Sequence, residues 1–507
     1  MHAPPTDVAA LPPQQSDEPA RTTPRPSAEP LEKGAGPAWW MWAMASGLFL
    51  VYMLLSLRTH ERLLSHSFDL AIFEQAVRSY AEGHLPVSEV KGPDFPVLGD
   101  HFSPVLVTLA PLYWLWPSAR TLLVAQAALI AVSVLPLAQW ARRALGSAAA
   151  LVIGLCYGLS WGIASAVGFD FHEWAFAVPL LACSLAALGE GRLRAAALWS
   201  LPLVLVKEDM GLTVAAIGLV IAWQGSRGSG WRTGWRGRRA GIALAAGGAV
   251  CTVLAMLVWL PALNPNGSYF YAAFLGGGAG GGAGAAGGGF GALLQKVTIG
   301  LVTPETKVAT LALLLAPTLF LALRSPLVLI ALPTVLWRGV SDYQSHWGTA
   351  FQYSLTLMPI LFAAFIDALH RRGTTAAGLR RYLAGAAGIC ALLLPSHAFG
   401  QMLQPPFWGT DPRVAVAHRL MDRIPDGARV QASDYLVPHL ADRTSVSLYG
   451  WADSRPDPEW IMVDTGVAPQ LHWPLSPVAE AISLNQVRQR GYRTVAEESG
   501  FVLLSRT

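Results

Sequence analysis

From Trp39 to Leu57 the chain runs nineteen residues without a charged side chain. Ten further apolar runs follow, near 120–140, 147–168, 174–189, 193–206, 210–223, 240–260, 308–323, 326–337, 350–369 and 382–399. A helix needs about 20 apolar residues to cross the hydrocarbon core of a bilayer. Only 13% of the chain is charged, against roughly 25% in soluble domains. Such a chain cannot clothe a water-facing surface, which excludes a soluble enzyme and a disordered protein. The expected fold is mainly α, a polytopic transmembrane bundle of about eleven helices. The net charge of +4 is too small to argue for a nucleic-acid partner.

Basic residues give the expected orientation. Arg142 and Arg143, Arg192 and Arg194, the group Arg227, Arg232, Arg236, Arg238 and Arg239, then Arg324, and finally Arg371, Arg372, Arg380 and Arg381 punctuate the runs. If the N-terminus is cytoplasmic, all five groups fall on the cytoplasmic side, as positive charge should. The scheme requires that 103–116, too short for a full crossing, lies at the outer face. The outer side then receives the first loop 58–119, the tips 169–173 and 207–209, the loops 261–307 and 338–349, and everything from about residue 400.

Residues 1–37 are rich in Pro, Ala, Ser and Thr, and read as a disordered tail. The bundle is expected over 38–399. Residues 400–507 read as a small α/β domain, with a helix over Arg413–Arg423, a turn at Pro425-Asp426-Gly427, strands at Arg429–Ala432, Ser445–Tyr449, Trp460–Val463 and Phe501–Leu504, and a helix over Val478–Arg490. The stretch 276–291 contains Gly276-x-Gly278-x-x-Gly281. No strand or βαβ context surrounds it, so it reads as a flexible Gly/Ala loop rather than a dinucleotide site. All four cysteines lie in apolar runs without zinc spacing, which suits packing.

Ionisable residues cluster in five outer stretches. The first loop holds Asp69 and Glu74, then Asp100 and His101. The next tip holds Asp170, His172 and Glu173. The third is Lys207-Glu208-Asp209, and the last carries Arg338, Asp342, Tyr343, His346 and Trp347. Local structure offers plain roles for them. Asp69 could cap a helix, Glu74 could pair with Arg78 at i,i+4, and Asp170-x-x-Glu173 resembles a capping box. Lys207 ends one helix while Glu208 and Asp209 begin the next, which suits both macrodipoles. Capping does not require all five stretches to share one side. A pocket at the outer surface does, where a cation meets a lipid phosphate and a carboxylate meets a hydroxyl.

Phe68-Asp69-Leu70 with Phe73 and Gln75, Gly99-Asp100-His101-Phe102-Ser103-Pro104, Phe171-His172-Glu173 and Lys207-Glu208-Asp209 resemble the bacterial predicted-membrane-protein family called domain of unknown function 2079. Ala432-Ser433 and Pro438-His439-Leu440 with Arg443 resemble its outer domain. The layout is similar to the GT-C membrane glycosyltransferases, whose first outer loop carries an acidic motif. Where that motif commonly has two acidic residues, this chain has Asp69-Leu70. The resemblance implies transfer of a sugar from a polyprenyl phosphate to an acceptor outside the membrane. Asp69 would be the base on the acceptor hydroxyl, and Lys207 or Arg338 would hold the donor phosphate. His101, His172 and Glu173 would orient substrate or a divalent metal ion, and Asp100, Glu208 and Asp209 would complete the binding set. A transporter and a non-catalytic envelope protein are the alternatives. Transporters place ionisable groups near the midplane between repeats, and no internal repeat is visible.

Overall fold

The structure, a computed structural model, describes residues 36–226, 231–267, 295–296, 298–468 and 471–506. Nearly all of the expected tail, and the Gly/Ala stretch 276–291, lie outside them. Everything below belongs to one compact unit, Pro37–Thr507.

Five helices are long and apolar enough to cross a membrane: Trp39–Glu61, Ala119–Leu145, Arg236–Leu263, Gln352–Arg371 and Ala376–Ser396. The bent pair Ser147–Gly158 and Trp161–Gly168, meeting at 41°, makes a sixth if it is one span. The other apolar runs form shorter helices, among them Glu173–Gly189, Leu193–Leu205, Met210–Ser226 and Pro326–Val340. The expected count of about eleven transmembrane helices, with 193–206 and 326–337 too short for full spans, is therefore not confirmed, and the reasons are local. Leu201–Leu205 and Pro326–Ala331 tighten into 3-10 turns, each with a proline in its first turn, where the ring removes a backbone donor. The run 308–323 breaks because Leu319 and Phe320 adopt φ of 54° and 59°, a left-handed conformation that no helix continues through.

Gln352–Arg371 is the axis of the bundle, with 89% of its apolar window buried, whereas Ala376–Ser396 is peripheral at 17%. Trp161, Tyr52, Tyr157, Phe362 and Phe365 fill the centre. The buried Tyr52 hydroxyl donates to the carbonyl of Gly158 at 2.6 Å and Ser56 Oγ to that of Val167 at 2.9 Å, as groups shielded from water must. Met210–Ser226 packs on Trp231–Leu254 through glycines. A Cβ on Gly211 would meet the Gly248 carbonyl at 2.3 Å, and one on Gly218 would meet Ala245 N at 2.5 Å. Small residues let helix backbones approach this closely in lipid. All four cysteines are free.

Residues 104–115 form a short 3-10 and α-helical segment, not a span. Leu106, Leu109 and Tyr113 are buried, while Val107, Leu112, Trp114 and Leu115 are exposed.

The C-terminal region forms a five-stranded sheet. Its strands are β3 (Arg429–Ala432), β4 (Ser445–Leu448), β5 (Trp460–Asp464), β6 (Tyr492–Glu498) and β7 (Phe501–Arg506); β1 (Val87–Ser88) and β2 (Phe95–Pro96) make a separate ribbon in the first loop. The order is β4-β3-β5-β7-β6, with β4 and β5 parallel to β3 and the last two pairings antiparallel. Helices Pro412–Met421 and Pro477–Gln489 flank the strands in sequence. The first loop packs directly on this sheet, since Leu63, Ala71, Ile72, Ala76, Val90 and Val97 share a core with Val430, Ala432, Val446 and Leu448. Polar bonds fix the register of the contact. Gln75 Nε2 donates to the Val446 carbonyl at 2.8 Å, Arg78 to the carbonyls of Ala441 and Thr444 at 2.8 and 3.1 Å, and Arg455 grips Glu89 with two bonds of 2.7 Å.

Candidate active site

The turn His66–Ala71 sits between bundle and sheet and is held from both sides. From the bundle, Asp170 Oδ2 accepts from His66 N at 3.0 Å and lies 2.8 Å from His66 Nδ1. From the sheet, Asp434 Oδ1, just past the end of β3, accepts from Ser67 N at 2.9 Å and Ser67 Oγ at 2.5 Å. Leu70 and Phe73 anchor the far end in a buried apolar cluster. Between these fixed points Asp69 adopts φ 81° and ψ −73°, close to a strained γ-turn. Such a conformation costs about 1–3 kcal/mol and persists only where neighbours over-determine it. Asp69 makes no helix cap. Its carboxylate lines a cavity instead.

The cavity holds about 260 Å³. Asp69, His101, His172, Glu173, Lys207, Glu208 and Asp209 all line it, so four separate stretches of chain converge. Apolar walls come from Trp174, Leu212, Met256, Trp337 and Tyr353, with His346 and Gln352 completing them. Sequence reasoning missed most of these wall residues. The available signals were Trp174 directly after Glu173 and Gln352-Tyr353 opening an apolar run.

Gln126 shapes the stretch of His172 and Glu173, donating to the Asp170 carbonyl at 2.6 Å and accepting from His172 N at 2.9 Å. His172 Nε2 lies 2.6 Å from the Phe169 carbonyl, which commits it as the donor, so Nδ1 is the atom 3.5 Å from Asp69 Oδ2. Lys207 Nζ lies 2.5 Å from Glu173 Oε1 and 3.2 Å from His101 Nδ1. Glu208 accepts from Phe102 N at 3.1 Å and stands 3.6 Å from His101. The expected capping box at 170–173 is thus absent, because Asp170 holds His66 and Glu173 pairs with Lys207. Glu74 takes the Tyr113 hydroxyl at 3.2 Å rather than pairing with Arg78, which bridges to Glu82 at 3.1 Å.

The electrostatics separate the carboxyls. Burial pushes Asp69 above the usual carboxylate range, and Glu173 adds to this while His172 opposes it. Burial, the largest single influence, would also raise Glu173 and Glu208, but Lys207 and His101 together outweigh it in both. Glu173 is held below its ordinary value and Glu208 falls to about 2. Burial raises Asp209 to about 7, with Glu208 reinforcing the rise. For Lys207 itself the carboxylates overcome burial and hold the ammonium charged.

Two expected residues lie off the cavity wall. Asp100 sits behind His101, 3.1 Å from Lys91 Nζ. Arg338 is buried, and its guanidinium donates to the carbonyls of His346 at 2.5 Å and Tyr353 at 3.1 Å and to Ser354 Oγ at 3.2 Å. Its fork therefore braces the segment that carries His346, Gln352 and Tyr353, and the geometry does not offer it to a phosphate. Asp342 pairs with Lys296 at 2.5 Å. Among the described residues no three His, Cys, Asp or Glu side chains converge as a metal-binding set, so the expectation of a divalent ion finds no fit there.

The profile of the predicted membrane protein family DUF2079 matches residues 59–503. By sequence, no curated protein matches. The fold is similar to that of ArnT from Cupriavidus metallidurans bound to undecaprenyl phosphate, with TM-score 0.51 and 14% identity over 92% of this chain and 98% of that one. The apo form of the same protein gives 0.48 at 14% identity with the same coverage. At 14% identity this likeness is one of fold.

Proposed function

This chain belongs to the DUF2079 family of predicted membrane proteins, and from that premise and the cavity we propose that it is a GT-C-type glycosyltransferase. It moves a sugar from a polyprenyl-phosphate donor to an acceptor hydroxyl outside the cytoplasmic membrane. The carrying observation is Asp69, a carboxylate held in a strained turn at a cavity wall that also bears a charged lysine. The fold neighbour whose structure contains undecaprenyl phosphate supports the donor class.

In this reading Asp69 accepts the acceptor's hydroxyl proton as the oxygen attacks the anomeric carbon, and the bond from that carbon to phosphate breaks. Proton transfer of this kind contributes about 10²–10⁴-fold. Lys207 meets the departing phosphate. His101, His172 and Glu173 orient the reactants, and the aromatic walls exclude water. Glu208 fixes His101, and Asp100 supports it from behind. The N-terminus is cytoplasmic, and the sheet region 400–507, packed on the first loop of the bundle over 38–399, lies outside. The arginine-rich turns support that orientation.

The test is Asp69→Asn, assayed in membranes with polyprenyl-phosphate sugars. Transfer should fall by about 10²–10⁴-fold at unchanged protein level, and near-normal transfer removes the assignment. A deletion strain should lack one sugar modification of its envelope lipids or glycans. Reporters fused after Gly228 and after Thr507 should report opposite sides of the membrane.

A further inference from the structure

The cavity holds four carboxylates, and three have a partner. Glu173 faces Lys207 at 2.5 Å, Glu208 takes Phe102 N at 3.1 Å with His101 at 3.6 Å, and Asp69 stands 3.5 Å from His172. Asp209 forms no ion pair among the described residues, and its buried Oδ1 has no hydrogen-bond partner there. A carboxylate oxygen buried without a hydrogen-bond partner favours the protonated form. Of the charges around it, the carboxylates favour the same state and Lys207 opposes it. Glu208 and Glu173 repel a second negative charge, Lys207 on the same turn is already committed to Glu173, and His346, His101, His172 and Asp69 lie elsewhere on the wall. Arg338, on the helix packed alongside, is occupied with backbone carbonyls.

A phosphate placed at Lys207 would meet Glu173 and Glu208 as well. The site needs a donor that adds no negative charge. We propose that Asp209 is the general acid of the transfer, giving its proton to the phosphate oxygen that leaves the anomeric carbon. This rests on the glycosyltransferase reading. The acceptor oxygen bonds to the anomeric carbon and its proton passes to Asp69. The bond from the anomeric carbon to the phosphate oxygen breaks, and its electron pair stays on that oxygen. Asp209 O–H protonates the same oxygen, so the lipid leaves as a phosphate monoanion and Asp209 as a carboxylate. The proton gained by Asp69 balances the one lost by Asp209, and water exchange resets both.

The experiment uses the full chain in lipid nanodiscs, with undecaprenyl phosphate as the probe, on both sides of neutrality. Asp209→Asn imitates the neutral acid in shape and donor but has no proton to give. The variant should therefore bind the lipid at all pH values, while wild-type affinity relative to the variant falls by up to tenfold per pH unit above neutrality. The lipid's own second ionisation is common to both proteins and drops out of the ratio. With a sugar-loaded donor, Asp209→Asn should keep its affinity and lose turnover by about 10²-fold or more. A constant affinity ratio across pH, or normal turnover by the variant, overturns the role of Asp209. Failure of both proteins to bind undecaprenyl phosphate at any pH instead overturns the lipid-phosphate reading itself. Asp209→Ser, also uncharged, serves if the amide variant does not fold, and should likewise lose the pH dependence.

Discussion

Replacing Asp434 by alanine tests whether the sheet holds the candidate catalytic turn in its strained form. Asp434 is 6% exposed and Ser67 is fully buried, and one carboxylate oxygen accepts both the amide and the hydroxyl of Ser67. Alanine leaves two buried donors without a partner, at about 1–3 kcal/mol each. Part of this is offset, because burial already disfavours the charged carboxylate and pushes its pKa up. A net local loss of about 2–4 kcal/mol remains, comparable to the roughly 1–3 kcal/mol of strain in the Asp69 backbone. The turn should then relax and withdraw the Asp69 carboxylate from its place. A misplacement of about 1 Å costs on the order of 10²-fold in rate. The sheet itself should stay docked through Gln75, Arg78 and Arg455. Hydrogen exchange read at residues 66–71, together with sugar transfer in membranes, is the assay. Faster exchange confined to that turn, with transfer reduced about 10²-fold, is the expected result. Wild-type exchange at Ser67 with wild-type transfer would refute the reasoning.

As the proposed base Asp69 must be ionised, and burial raises its pKa, so transfer should fall as pH drops through a midpoint above the free-aspartate value of about 3.9. Because Glu173 contributes to that rise, Glu173→Gln should move the acid limb of a pH–rate profile to lower pH. Lys207→Met strips the cation from buried Glu173 and should destabilise the protein by about 3–5 kcal/mol, seen as a lower thermal midpoint. Adding Glu173→Gln should restore much of the stability but not undecaprenyl phosphate binding. Gly218→Leu places a side chain where a Cβ already meets Ala245 N at 2.5 Å and Gly241 O at 2.7 Å, so the helix pair must part and the folded yield should fall. Gly247→Ala, with open space around it, should be neutral in the same assay.

Elements announced by local pattern were legible before any coordinates. β3 matches its expected limits, and β4, β5 and β7 differ only at their ends. β6 was missed because Arg493, Glu497 and Glu498 of this edge strand are exposed, so it lacks the apolar signature of a buried strand. The convergence of Asp69, His101, His172 and Lys207 was legible from sidedness alone, since charge is costly inside a membrane. Bracing was not. Arg338 looks like a free cation in sequence, and only the carbonyls of 346 and 353 show that it is spent. The positive φ of Asp69 carries no sequence mark either, because a glycine there would have announced the turn and an aspartate does not.

Ser67 and Asp434 lie 367 positions apart, Gln75 and Val446 371, and Glu89 and Arg455 366. Synthesis proceeds at about 5–20 residues per second, so the first loop waits tens of seconds for the strands that grip it. β7 joins the sheet between β5 and β6. Without β6 and β7, β5 would be left with a bare edge. The membrane helices between Ser67 and Asp434 are made first, and Ser67 gains its hold on Asp434 only afterwards.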